Sequence, residues 1–203
     1  MYMTFRNMTA APGKMPEAVM LLQRVAARLN SEHGGTFGVS MNVGGDPSAL
    51  ALASPWASLG DYETARNSML GDAEIQGAIR MAADLMTSAQ DTIGKIQLPP
   101  GERSAYASVS TAMVSLPSIT EAVGLALEIA QHVTENHGTQ VGVITAVTGP
   151  RAGLMWLSQA DSLARLGELG EALAGDSTYM EFFKRSEGLF VDGSLEASIW
   201  QML

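Results

Sequence analysis

Three histidines, one strand asparagine and a tryptophan–tyrosine pair are the side chains with most to offer chemistry. His33 and His137 stand in near-copies of one phrase, "EHGGTFGVS" at 32–40 and "NHGTQVGVI" at 136–144, 137 − 33 = 104 residues apart. A histidine in the last turn of a helix, just ahead of glycine, can bond the unpaired carbonyls and meets the negative end of the helix dipole. The rival reading is acid–base or metal chemistry, and recurrence in both copies favours the helix stop. His132 aligns with Arg28, falls in mid-helix and reads as solvated. With no HxH or HxxxH spacing and no cysteine, no metal site and no cofactor are expected.

Asn7 shares a strand face with Met3 and Phe5, so a polar amide points where apolar groups point. It either orients a ligand or is a hydrogen-bonded residue near a strand end. Trp56, at a strand-to-helix corner, either lines a pocket or plugs an end of the fold, and Tyr62 and His33 are the further polar groups that could orient a ligand. Trp156 and Trp200 lie inside strands and read as sheet-packing core. No GxSxG, phosphate-cradling glycine loop or paired-carboxylate motif is present.

The elements that must position these residues are written twice. At an offset of 104 the two halves align without a gap, and 20 pairs are identical, among them Glu17-Ala18-Val19 with Glu121-Ala122-Val123 and Gly71-Asp72 with Gly175-Asp176. So long a period reads as a domain duplication: repeats at 1–98 and 104–203, joined by a Pro-Gly and charge-rich linker at 99–103. Within a half, period 2 alternates with period 3.6. A strand opens each half, followed by a helix with Val19, Leu22, Ala26 and Leu29 on one face, then two apolar runs separated by "GGDPS" or "TGPRA". Ser58 and Ser162 read as N-caps, Ser118-Ile-Thr-Glu121 as a capping box, and Asp72 and Asp176 as caps of helices over 72–88 and 176–190. "TIGKIQL" and "EASIWQM" close the halves as strands. The order β-α-β-β-α-β is that of a ferredoxin-like unit. Both alternating sets of residues 37–43 are uncharged, as burial on two faces requires.

Composition bounds the function. Hydrophobic residues are 46% and charged residues 16%, a balance that suits a packed globular chain. The net charge of −9 divides into −2 for residues 1–103 (8 basic, 10 acidic) and −7 for 104–203 (4 basic, 11 acidic), so neither nucleic acid nor an anionic membrane is an expected partner. No signal-like segment opens the chain and no apolar run is long enough to span a bilayer, which makes a cytoplasmic protein the expectation.

The stretch "SPWASLGDYE", followed by a helix broken at "GDAEIQGAI", resembles the dimeric α/β-barrel superfamily, which includes antibiotic-biosynthesis-monooxygenase-like and NIPSNAP-like proteins. The second copy keeps Ser162-Leu163, Asp176 and Tyr179 but has Ala160 where Trp56 stood. The resemblance implies an α+β fold in which two tandem ferredoxin-like βαββαβ units pack their antiparallel sheets into an intrachain α/β barrel. It also implies a small, largely apolar organic ligand held between sheet and helices, as in cofactor-independent monooxygenases. Haem-degrading relatives carry a strand asparagine and a tryptophan, which Asn7 and Trp56 match. The histidine they place in the helix after the third strand has no counterpart, because residues 61–88 contain none. The rival class is a non-catalytic pseudo-dimer serving structure or protein interaction. A homodimer through surfaces outside the barrel is compatible with both.

Overall fold

The computed structural model describes residues 1–149 and 152–203. The chain is α+β, an eight-stranded antiparallel barrel among the described residues. It divides into two compact units, residues 1–94 with 202–203, and residues 95–201.

In the first unit, β1 (Tyr2–Ala10) leads into α1 (Met15–Glu32), β2 (Gly38–Gly44) and β3 (Ala49–Trp56). Then come α2 (Leu59–Leu70), α3 (Ala73–Leu85) and β4 (Met86–Leu98). β3 is central: it pairs antiparallel with β1, Tyr2 opposite Trp56, and with β2, Gly38 opposite Ala53. The β2–β3 turn is set by Asp46, whose Oδ1 accepts from Ser48 N at 2.9 Å and Ser48 Oγ at 2.6 Å. α1 lays Ala18, Leu22, Ala26 and Leu29 on Met8, Val39, Leu50 and Leu52. In β2 the consecutive residues Val39 and Ser40 are both buried, so both faces of the strand are covered at that point.

The second unit repeats the plan with β5 (Tyr106–Met113), α4 (Ile119–His137), β6 (Val141–Ala146), β7 (Gly153–Ala160), α5 (Leu163–Ala174), α6 (Ser177–Arg185) and β8 (Glu196–Met202). β7 is central, pairing with β5 and β6, and β5 also pairs with β8. Ala122, Ala126, Ala130 and Val133 of α4 cover Val143 and Leu154. Of the "TGPRA" turn, Pro150 and Arg151 lie outside the described residues.

The caps follow the sequence reading, with one correction. Ser58 and Asp61 form a capping box, Ser162 Oγ accepts from Arg165 N, and Asp72 and Asp176 cap α3 and α6. Ser118 makes no side-chain cap; Pro117 sits in a 3-10 turn, Leu116–Ser118, that feeds directly into α4. Two helices stop short of the expected ends. α3 gives way at Met86 because the backbone there enters a strand beside β1, where Ala11 N donates to Leu85 O at 2.8 Å and Ser88 Oγ to Thr9 Oγ1 at 2.9 Å. α6 ends at Arg185, and Gly188 (φ +74°) turns the chain in a way few other residues allow.

One departure from the repeat matters for function. β4 has 13 residues and β8 only seven. Val114 pairs with Phe190, but the next pair along is Thr111 with Glu196, so two residues of β5 (112 and 113) face five of the edge (191–195). Three residues are extruded as a bulge. Ser194 holds it: its Oγ donates to Val191 O at 2.6 Å and accepts from Met113 N at 3.0 Å, while Gly193 (φ +71°) makes the bend.

Candidate functional site

The extrusion lifts the edge away from Ala112, and a cavity of about 290 Å³ opens there in the second unit, a size at the lower end for small-molecule sites. Its walls are Trp156 of β7, Tyr179, Phe182 and Phe183 of α6, and Phe190. Ala112, Ile129, Val191 and Leu195 complete the apolar lining, and Glu187 and Asp192 are the acidic residues bordering it. The aromatic rings hold one another: Trp156 lies 5.9 Å from Phe190, and Tyr179 meets Phe183 edge-on at 5.2 Å. The Trp156 indole N–H donates to Ala126 O at 3.3 Å, fixing the ring. Burial pushes the Tyr179 phenol above its ordinary range, so it remains a protonated donor at neutral pH.

At the 104-residue offset, Trp156, Tyr179, Phe182, Phe183 and Phe190 correspond to Leu52, Ile75, Ala78, Ile79 and Met86. All five are non-aromatic in the first unit, where Leu52, Ile75 and Ala78 are buried. The second copy is therefore aromatic at five cavity-lining positions where the first is not. The signal lies in the aligned halves, in the pairs that differ and not in those that match.

Of the residues singled out from the sequence, Trp56 and Tyr62 come together, and Asn7 lies apart from them. Asn7 is exposed on β1, in register with Ala51. Thr4, three residues earlier and so on the opposite face of the strand, bonds Trp56. Asn7 and Trp56 therefore address opposite faces. Trp56 is buried and satisfied: its N–H donates to Thr4 Oγ1 at 3.0 Å, Phe37 meets it edge-on at 5.7 Å, and Tyr62 lies against it at 5.6 Å. The tryptophan–tyrosine pair is thus a packed corner of the first unit.

His33 does end α1, with its backbone N–H on Leu29 O at 3.1 Å, but its ring does not bond the helix carbonyls. Nδ1 pairs with Ser68 Oγ at 2.8 Å and Nε2 with Asp72 Oδ2 at 2.9 Å, so both ring nitrogens are engaged. Arg28 Nε donates to the same Oδ2 at 2.9 Å, while Asp72 Oδ1 caps α3 by accepting from Glu74 N and Ile75 N. The repeated histidine therefore joins the end of one helix to the cap of another. In the second unit His137 Nε2 reaches Asp176 Oδ2 at 2.8 Å. His132, in the place of Arg28, reaches that oxygen at 2.7 Å; it is largely buried rather than solvated.

These bonds hold both aspartates well below the usual carboxylate range, His33 and then Arg28 acting on Asp72, and His132 first on Asp176. A carboxylate with a folded pKa below its unfolded value of about 3.9 stabilises the fold at any higher pH, and that contribution is lost as pH falls. The protein is expected to lose stability progressively below about pH 5. The Asp72→Asn/Asp176→Asn variant keeps capping side chains; it should be less stable at pH 7 yet show a shallower acid slope in thermal midpoints measured from pH 7 to 3. An unchanged slope would assign acid sensitivity elsewhere.

No protein-family model and no curated protein sequence matches the chain. Solved structures do. A "putative monooxygenase" of Fusobacterium nucleatum superposes with a TM-score of 0.76 at 7% identity, over 100% of this chain and 92% of that one. An anthrone oxidase-like protein gives 0.72 at 14%, covering 100% and 91%. A "putative monooxygenase" of Lactobacillus acidophilus gives 0.69 at 8%, covering 99% and 93%. At these identities the likeness is one of fold.

Proposed function

We propose, for a chain with the dimeric α/β-barrel fold, that the second unit binds a small, planar, largely apolar organic molecule in the cavity between its sheet and α6. The observation that carries this reading is the change of five positions from non-aromatic to aromatic around a single opening. Filling a core needs no such change, as the first unit demonstrates with Leu52, Ile75 and Ala78. Aromatic walls with few rotatable bonds offer flat surfaces to a flat ligand, and the Tyr179 hydroxyl offers it one donor. Cofactor-independent oxygenation of that molecule is the finer form of the proposal. The names of the similar structures support it, and they make anthrone the first compound to try.

The test separates binding from chemistry. Anthrone and its oxidised analogue anthraquinone are titrated into the full chain by calorimetry or fluorescence, with oxygen excluded for anthrone. Saturable binding is expected, weakened at least tenfold, about 1.4 kcal/mol, in Ala112→Trp, which fills the cavity. Aerobic turnover of anthrone that is lost in the same variant would establish the oxygenase. Binding without turnover leaves a binding protein. Absence of binding by both compounds, or binding indifferent to Ala112→Trp, would favour the non-catalytic pseudo-dimer.

A further inference from the structure

We propose that His132, His137 and Asp176 form a binding site for a divalent transition-metal ion of the zinc type, separate from the cavity. One ligand atom from each lies within 4.8 Å of the others. Two imidazole nitrogens and one carboxylate oxygen are a donor set that zinc accepts, leaving a fourth position for water.

The site is organised before any ion arrives. Asp176 Oδ1 is held by the backbone N–H groups of Thr178 at 2.8 Å and Tyr179 at 3.0 Å, so Oδ2 is presented alone. Both Nε2 atoms already point at Oδ2, from 2.7 and 2.8 Å. Around an ion with bonds of about 2.0–2.1 Å these atoms would stand roughly 3.3 Å apart. Conversion into a coordinating cluster needs each Nε2 to draw back from Oδ2 by about 0.5 Å, turn toward the ion and release its proton, while the Asn136 amide, whose N–H donates to His132 Nδ1 at 3.2 Å, turns its oxygen to that nitrogen. The His132 ring is steadied by Phe182, edge-on at 5.5 Å. His132, His137 and Asp176 are each about 15% exposed, enough for an ion to enter.

The first unit shows what the cluster would be if pairing were its whole purpose. There Arg28 and His33 satisfy Asp72 with the same geometry. A guanidinium is the stronger partner for a carboxylate but has no lone pair to give a metal. Histidine in place of arginine weakens the ion pair and completes a ligand set.

The spacing hid this site. The two histidines are five apart, a separation outside the common helical ligand pairs, and the aspartate lies 39 residues further on.

The experiment uses the metal-free full chain, titrated with Zn²⁺ in competition with a chromophoric chelator and with Co²⁺ followed by its visible ligand-field absorption. One equivalent per chain is expected. Affinity should fall at least 100-fold in His132→Arg, which installs the first unit's own residue and should therefore fold, and in His137→Gln, while His33→Gln leaves it unchanged. Lack of saturable binding by the wild type, or a change below tenfold in both His132→Arg and His137→Gln, would overturn the site. Loss of binding in His33→Gln alone would place the ion in the first unit and equally overturn it.

Discussion

Phe182→Ala is expected to lower the unfolding free energy by about 3 kcal/mol, near the low end for a buried phenylalanine because the ring already borders a cavity. Phe182 is 8% exposed and belongs to the main cluster of the second unit with Leu125, Ala126 and Val133. One face meets His132 edge-on, and the Arg185 guanidinium lies 5.5 Å from the ring centre. Removing the ring therefore joins an existing space to a new one and withdraws a support from His132. Phe182→Leu, which keeps most of the volume, should cost about 1 kcal/mol. Denaturant unfolding with unchanged m-values checks both; a loss below about 1 kcal/mol for the alanine variant would mean that the ring is not packed as described.

Trp56→Ala should cost about 4 kcal/mol, and it should do so without touching ligand binding in the second unit. The tryptophan is enclosed by Phe37 and Tyr62 and hydrogen-bonded to Thr4. Trp56→Phe retains much of the apolar contact but loses the bond to Thr4 Oγ1, for an expected loss of about 1–2 kcal/mol. A double-mutant cycle with Thr4→Val should return a coupling of about 1 kcal/mol, since Thr4 and Trp56 are direct partners. Unaltered anthrone binding in Trp56→Phe would identify the residue as structural. A tenfold weakening would return it to the list of ligand contacts.

These variants mark where the sequence was readable and where it was not. The duplication, the order of strands and helices, and the caps at Ser58, Asp72 and Asp176 were legible because each rests on local chemistry: period, turn residues and side chains that satisfy helix ends. Burial on both sides of β2 was legible from the uncharged faces of residues 37–43, and the barrel from the resemblance. Helix ends at Leu85 and Arg185 were not, because strand pairing and a left-handed glycine decide them from outside the segment. The site was harder still. Residue type singles out Asn7 and Trp56, whose divergence depends on which face of a strand each occupies. His33 ends a helix, yet its ring acts on a residue 39 positions away. The cavity depends on a bulge beside Ala112 that no motif announces.

That bulge was made without changing the length of the chain. Residues 82–91 and 186–195 are both ten long, and the halves align through them without a gap; one run finishes a helix and starts a strand, the other turns, bridges and bends. The two halves thus behave as paralogues confined to one polypeptide, diverging by refolding a fixed stretch and not by acquiring a new one. A chimera carrying "AADLMTSAQD" in place of "SEGLFVDGSL" keeps every other residue in register. It turns the comparison between halves into a transplant of ten residues, and whatever the chimera no longer does can be ascribed to them.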